Sequence, residues 1–285
     1  MYTCGYVAIV GRANAGKSTL LNALIGEKVA IVSNKPQTTR NNILGIRTEK
    51  NSQIIFVDTP GIHHSKNHLD KYMMKSVRSA LAGVDLILYL VDGSKPTDQE
   101  EKDYIEKLKY EECPTIVVLT KNDKSLRTDV KGDFSISSVK NENLDILLKT
   151  ILEKLPKSSK KNFIFDEEYY TDKSVKFLVA EYVREAALRK LNDEIPHGIA
   201  VDITRFDERG DLTSIEADII CERDSHKGII IGKGGQTLRK IGEDARKQAE
   251  ELLGTKVLLK LFVKVEKDWR DKQSQLNNYG YTDKK

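Results

Sequence analysis

Two hydrophobic rhythms follow one another along this chain. In the first half, short apolar runs of the kind that fill buried strands alternate with stretches whose apolar residues recur at helical spacing. "GYVAIV" (5–10) leads into a glycine-rich segment. Leu20, Leu21, Leu24 and Ile25 then repeat at helical spacing until Gly26 stops them. "NNILGIRTE" and "SQIIFVD" flank the turn-prone "KNS", which predicts a hairpin. "VDLILYLVD" and "PTIVVLT" predict further buried strands, with helices around 69–82 and 98–110 between the runs. "GDFSIS" is a last, weak strand, and "NLDILLKTILEKL" is an amphipathic helix ending at Pro156. Strands alternating with helices imply an α/β unit, a mostly parallel sheet covered on both faces.

The rhythm then changes. "PKSSKKNFIFDEEYY" (156–170) has no sustained period and reads as a linker. Val175 to Leu191 is a long amphipathic helix, with Phe177, Leu178, Val179, Tyr182, Ala186 and Leu188 toward a core. "GIAVDITRF" and "LTSIEADIICE" alternate as strands on either side of "DERGD". A second glycine loop, a helix from Thr237 to about Leu253 and the strand "KVLLKLFVKV" complete an α+β unit. The expected organisation is a nucleotide-binding domain over 1–156, a linker over 157–172, a second domain over 173–270 and a partly disordered polar tail over 271–285.

Composition narrows the class. At 285 residues, 39% hydrophobic and 32% charged, the chain can form two soluble cores. No apolar run approaches the roughly 20 residues of a spanning helix. The N-terminus has neither a basic leader nor a small-residue cleavage site, so a cytoplasmic protein is expected. Cys4, Cys113 and Cys221 have no metal or redox spacing and read as ordinary thiols. A formal charge of +4 says little until its location is known.

The first glycine segment, "GRANAGKS" (11–18), has the P-loop spacing between a strand and a helix. Such a loop turns several N–H groups toward one phosphate, and the helix adds its positive end. Lys17 is assigned to the terminal phosphates and Ser18 to Mg²⁺. "DTPG" (58–61) ends the strand "IIFVD": Asp58 can reach the magnesium shell, and Gly61 can offer its N–H to a γ-phosphate and release it on hydrolysis. Between them, "KPQTTRNN" (35–42) holds Thr39, the first choice to complete the Mg²⁺ shell, and Thr38, the second. "VLTKNDKS" follows another buried strand. Asp123 can accept from the N1–H and N2–H₂ groups of guanine, a donor pair that adenine lacks. The Lys121 stem can pack on the base, and "SISS" (135–138) can supply the Ser138 N–H to guanine O6. The expected nucleotide set is Asn14, Ala15, Gly16, Lys17, Ser18, Thr19, Asp58, Thr59, Pro60, Gly61, Thr120, Lys121, Asp123, Ser137 and Ser138, with Lys17, Thr39 and Gly61 nearest the chemistry.

The ordered set GRANAGKS, QTTR, DTPG, TKND and SISS resembles the five motifs of translation-factor-type GTPases. With "KPQTTRNNILGI" and "DTPGIHH" it most resembles the Era family of bacterial ribosome-assembly GTPases, over about residues 5–156. Three departures stand out. Thr120 replaces the usual asparagine of the base motif and is expected to cost that loop some rigidity. Ser137-Ser138 replaces serine-alanine. Only thirteen residues separate Asp123 from Ser137, too few for the helix this fold normally inserts there, so that helix is expected to be reduced or absent.

Phosphoryl transfer needs positioning and charge neutralisation. Ile62 stands where Ras-type proteins carry a water-orienting glutamine, which predicts slow intrinsic turnover raised by a partner or an ion. The resemblance implies that Asn14 helps to hold K⁺. Nothing in the sequence orients Arg12 or Arg40 as an alternative cation.

The second loop, "GIIIGKGGQTLRKIG" (228–242), lacks the Lys-Ser pair of a nucleotide loop. Gly232, Lys233, Gly234 and Gly235 form a G-x-x-G element between helices, a backbone clamp for about four single-stranded nucleotides. Lys227, Lys233, Arg239 and Lys240, with Arg223, Arg246 and Lys247, gather positive charge around it. Ile229, Ile230 and Ile231 are expected to floor the site. The element order resembles a type II KH domain, and "EEYYTDKSVKFLVAEYVREA" resembles the start of the Era C-terminal domain. The resemblance implies that the chain binds GTP and GDP, the 3′ end of small-subunit ribosomal RNA and the small subunit, with a possible peripheral membrane contact. The rival readings are an RNA-binding protein with a structural GTP site, a P-loop kinase or ATPase, and a GTPase of tRNA modification.

Overall fold

A computed structural model describes residues 1–63, 65–108 and 112–282. The chain forms two compact units, one of Met1–Ala30, Thr39–His64 and Met73–Asp172, the other of Ile31–Thr38, Ser65–Tyr72 and Lys173–Lys285.

In the first unit the buried runs become strands β1 (Tyr2–Gly11), β2 (Ile43–Glu49), β3 (Ser52–Asp58), β4 (Leu86–Asp92), β5 (Thr115–Thr120) and β6 (Phe134–Ser135). Their order is β2-β3-β1-β4-β5-β6. β2 and β3 form the expected antiparallel hairpin, while β1, β3, β4, β5 and β6 run parallel. The helices are α1 (Lys17–Ile25), α2 (His68–Leu81, of which the part from Met73 belongs to this unit), α3 (Gln99–Leu108) and α4 (Leu144–Lys154). The last two positions of the helix expected over 98–110 lie outside the described residues. Every residue of β3 is buried, because a central strand covered on both faces has no solvent side.

The crossover from β5 to β6 contains no helix, as the spacing from Asp123 to Ser137 implies. A turn and an extended segment span 121–133 instead, and Asp133 accepts the Val117 N–H at 2.8 Å.

The stretch read as a linker is laid along the sheet. Its β7 (Lys157–Ser158) pairs antiparallel with the start of β1. Phe163 and Phe165 pack against Cys4, Ile46 and Ile55, and the Gln53 carboxamide bonds the backbone of Ile164 and Phe165. Charge and missing periodicity hid this contact, because two phenylalanines and one buried amide hold an irregular segment without any repeat.

The second unit carries α5 (Val175–Lys190), β8 (Ala200–Arg209), β9 (Leu212–Cys221), α6 (Asp224–Ile231), α7 (Gln236–Leu253) and β10 (Lys256–Val265). The sheet order is β10-β9-β8, with β9 parallel to β10 and antiparallel to β8. Val183, Ala187, Ile219, Ile230, Ile241 and Val263 are among the side chains of its main core. The amphipathic reading of α5 needs correction. Tyr182 to Leu188 is buried all round, including Arg184 and Glu185, because Ile31 and the residues after it also pack on this helix.

The end of the second domain meets the start of the expected tail. Trp269 is fully buried, donates Nε1–H to the Gly198 carbonyl at 3.0 Å and meets the rings of Tyr279 and Tyr281. A short helix α8 (Gln273–Asn278) buries Leu276. Aromatic contacts order this polar segment as far as residue 282; 283–285 lie outside the described residues.

Candidate nucleotide site and nucleic-acid interface

The P-loop connects β1 to α1. Gly11 and Gly16 have φ of 151° and 91°, and Asn14 lies in the left-handed region at 64°. A Cβ on Gly11 would sit 2.4 Å from the backbone oxygen of Leu90, so only glycine fits. Lys17 is 6% exposed and donates to the carbonyls of Gly11 at 3.0 Å and Arg12 at 2.8 Å. Burial pushes its ammonium down to about 8. Ala15 is buried, while Gly16, Ser18 and Thr19 are partly exposed.

Three oxygen-bearing side chains from distant parts of the chain meet beside this loop. Ser18 Oγ lies 2.8 Å from Thr39 Oγ1 and donates to Asp58 Oδ2 at 2.6 Å. Burial pushes the fully buried Asp58 carboxyl up to about 6, against the pull of Lys17, Ser18 and Thr39. Asp58 Oδ1 is buried with no hydrogen-bond partner among the described residues. Hard oxygen donors with one orphaned carboxylate oxygen fit Mg²⁺, which takes one or two carboxylates and keeps several waters.

The DTPG turn is pressed onto the P-loop. Thr59 Oγ1 donates to the Ile9 carbonyl at 2.8 Å, and Pro60 and Gly61 are buried. A Cβ on Gly61 would lie 2.8 Å from Ala13 N, so this approach too requires glycine. Ile62 packs against the core cluster of Ala8, Val10 and Tyr89, which turns it away from any role in aligning water. Arg12 is paired with Asp98 and, at 2.7 Å, with Glu100 at the start of α3.

Thr120 is buried at the end of β5. Its Oγ1 lies 2.8 Å from the Ala15 carbonyl and 3.1 Å from the Val91 carbonyl. This buried hydroxyl ties the start of the base loop to the backbone of the P-loop. Lys121, left-handed at φ 62°, donates to the Asn14 carbonyl at 2.8 Å and to Asp92 Oδ2 at 2.6 Å. Asp92 was missed from sequence; its signal was a carboxylate ending the run "VDLILYLVD". Asp123 is exposed and accepts from Ser137 Oγ at 2.7 Å, and this bond holds its carboxyl below the ordinary carboxylate range. Ser138 is partly exposed beside it.

In the second unit, Gly232, Gly234 and Gly235 all have positive φ, of 74°, 60° and 76°. A Cβ on Gly234 or Gly235 would meet nothing within 4 Å, so the loop is open to an approaching backbone. Lys227, Lys233, Arg239 and Lys240 are exposed around it. The isoleucine floor is corrected: Ile230 is fully buried in the core and Ile231 packs against that core, leaving only Ile229 exposed, at 53%. A helix can present only one of three successive residues to the same side. Beside the loop lies a groove of about 420 Å³ lined by Gly235, Leu238, Arg239, Gly242, Arg246 and Leu259, with Glu243 and Leu261. The helical spacing of Leu238, Gly242 and Arg246 and the alternation in β10 carried that signal.

The profile of the family described as 50S ribosome-binding GTPase matches residues 6–121, and that of the KH domain matches 194–270. The GTPase Era of Clostridium beijerinckii is 46% identical over 295 residues, covering 99% of this chain and 98% of that protein. The protein of the same name from Clostridioides difficile is 45% identical over 300 residues, covering all of both. This chain belongs to the Era family of GTPases. It is an enzyme of that class, built as an α/β P-loop GTPase unit followed by an α+β KH unit. Among solved structures, Era in complex with MgGDPNP and nucleotides 1506–1542 of 16S ribosomal RNA matches with a TM-score of 0.92 at 38% identity, over 99% of both chains. A single-residue variant of Aquifex aeolicus Era bound to GDP·AlF4⁻ matches with a TM-score of 0.90 at 37% identity, over 98% of this chain and 99% of that one. Among the described residues no helix is long and apolar enough to cross a membrane.

Proposed function

We propose that this Era-family protein is a GTP-dependent switch that grips single-stranded RNA, the 3′ end of small-subunit ribosomal RNA, and acts in small-subunit assembly. The reading rests on one juxtaposition: the Ser18, Thr39 and Asp58 oxygens gathered beside the P-loop. These residues come from three separate segments and meet only where a Mg²⁺–triphosphate would sit. Lys17 and the P-loop amides hold the phosphates, with Asn14, Ala15, Gly16 and Thr19. Ser18, Thr39 and Asp58 hold the metal. Mg²⁺ supplies charge neutralisation to the terminal phosphates. Thr59 and Pro60 place the Gly61 N–H at the γ-phosphate. Thr120, Lys121, Asp123, Ser137 and Ser138 select guanine.

Water alignment falls to no side chain at Ile62, so intrinsic turnover is slow. Asn14 is assigned to a K⁺ site that offsets the developing charge, and turnover in potassium chloride exceeds that in sodium chloride. The RNA lies over Gly232–Gly235 and along the groove beside α7, with Lys227, Lys233, Arg239 and Lys240 on its phosphates and Ile231 at its edge. The domains run over 1–156, 157–172 as connector, 173–270 as the RNA-binding part and 271–285 as tail. The protein works in the cytoplasm, with a peripheral membrane contact as a further expectation.

The test loads full-length protein with a non-hydrolysable GTP analogue or with GDP and titrates a labelled oligonucleotide of the 3′ rRNA sequence. Tighter binding in the GTP-analogue state, lost in Gly234→Asp, is expected. Equal affinity in both states, or binding indifferent to Gly234→Asp, would overturn the switch-and-clamp reading. Competition of fluorescent GTP by ATP tests guanine selection separately.

A further inference from the structure

Two consecutive charged residues of α5, Arg184 and Glu185, are only 1% and 0% exposed. Burying adjacent charges in a helix is costly unless each finds a partner. Both find one on the same short segment. Glu185 Oε1 accepts the Val32 N–H at 2.8 Å, and Arg184 Nη2 donates to the Thr38 carbonyl. Ile31, just before this segment, packs with Leu178, Tyr182 and Leu188 of α5. Arg184 is itself fixed by a fork onto Glu181, with Nε at 2.7 Å and Nη2 at 2.5 Å, and Glu185 pairs with Arg189 at 3.0 Å. Residues 32–38 are thus pinned at both ends by neighbouring side chains of one helix.

Withdrawing the segment would strip a buried carboxylate and a buried guanidinium of hydrogen bonds at once. Arg184 Nη1 already lacks a hydrogen-bond partner among the described residues, so a second lost bond would add to that cost. The next residue along the chain is Thr39, whose hydroxyl lies 2.8 Å from Ser18 Oγ. One peptide bond therefore separates the pinned carbonyl from the hydroxyl assigned to the Mg²⁺ shell.

We propose that Arg184 and Glu185 are positioning residues for GTP, holding the Val32 N–H and the Thr38 carbonyl so that Thr39 is presented to the metal and γ-phosphate. The proposal rests on the assignment of Thr39 made above. GDP has no γ-phosphate to engage Thr39, so the clamp contributes to the GTP state and not to GDP affinity. It also makes the first helix of the RNA-binding part a determinant of which nucleotide is preferred.

The experiment measures the affinity of full-length variants for a non-hydrolysable GTP analogue and for GDP, with kcat and KM for GTP. Arg184→Lys loses the fork onto Glu181 that fixes the side chain, and with it the fixed aim at the Thr38 carbonyl. It is expected to lose about tenfold in GTP-analogue affinity, the scale of one hydrogen bond to a charged group, and a similar factor in kcat, with GDP affinity unchanged. Glu185→Ala repeats the loss, and Glu185→Gln, which keeps an acceptor for Val32, restores most of it. Val32→Pro removes the donated N–H from the loop side and leaves α5 untouched, so it carries the test if a helix variant does not fold. Equal losses for GDP and the analogue, or no loss in variants of wild-type Tm, would overturn the clamp. Thr39→Ala is measured alongside. If it too leaves the GTP-to-GDP ratio unchanged, the Thr39 assignment fails; if it lowers the ratio while Arg184→Lys and Val32→Pro do not, the clamp alone fails.

Discussion

The two glycine loops use the same residue for opposite ends. In the P-loop, Gly11 makes room for protein: a Cβ there would collide with the Leu90 backbone at 2.4 Å, and Gly61 allows the DTPG turn to touch Ala13. The loop is packed from behind, and its lysine is buried. In the second loop, Gly234 and Gly235 face nothing within 4 Å, and Lys233 is exposed. The first arrangement encloses a compact charged ligand whose position must be exact to a fraction of an ångström for phosphoryl transfer. The second keeps a ledge clear so that a chain can be laid across it.

The sharpest way to break this contrast is at the lysines. Lys17→Ala should lower GTP turnover by about a hundredfold to a thousandfold, the scale of removing one preorganised donor from a developing charge. RNA affinity of the nucleotide-free protein should be unchanged, as read by phosphate release and oligonucleotide titration. Next come the glycines. Gly11→Ala combines a backbone collision with a positive φ and should destabilise the fold by about 3 kcal/mol. Gly235→Ala suffers only the left-handed penalty of about 1 kcal/mol. Equal shifts in Tm for the two would mean that the loops are packed alike.

A smaller effect is expected at Lys233→Ala: the slope of log affinity for RNA against log salt should flatten by about 0.7, the share of one phosphate contact on a single strand, with turnover unaffected. Smallest is a pH effect. The Ser137 hydroxyl holds the Asp123 carboxyl below the ordinary carboxylate range. A depressed pKa keeps the charge present above the ordinary value and loses it only as pH falls further. GDP affinity should therefore decline through Asp123 protonation only at a pH below the ordinary carboxylate range. In Ser137→Ala the decline should begin at higher pH.

Much of the site was legible because its parts are local. A P-loop is eight consecutive residues between a strand and a helix, and DTPG, TKND and the G-x-x-G element are each four. Their glycines mark the turns in the sequence, although the need for glycine at Gly11 and Gly61 comes from Leu90 and Ala13 in the fold. The missing helix between Asp123 and Ser137 followed from counting alone. The RNA groove was harder: Ile230 and Ile231 look alike in the sequence, and only the direction of α6 sends one into the core and leaves Ile229 outside. Trp269, Leu276 and Tyr281 were hidden for a related reason. Sparse apolar residues in a polar tail have no period, and their burial depends on what they meet.

By itself, the sequence determined the succession of buried strands and amphipathic helices and carried the five GTPase motifs and the G-x-x-G element, because each is a run of a few neighbouring residues. Tertiary structure alone decided that Ser18, Thr39 and Asp58 converge, that the Thr120 hydroxyl reaches the Ala15 carbonyl, and that Arg184 and Glu185 turn inward to hold the segment leading to Thr39. Those outcomes depend on contacts between residues up to 153 positions apart. The buried charges on α5 are tolerated only because the fold delivers a backbone N–H and a carbonyl to meet them.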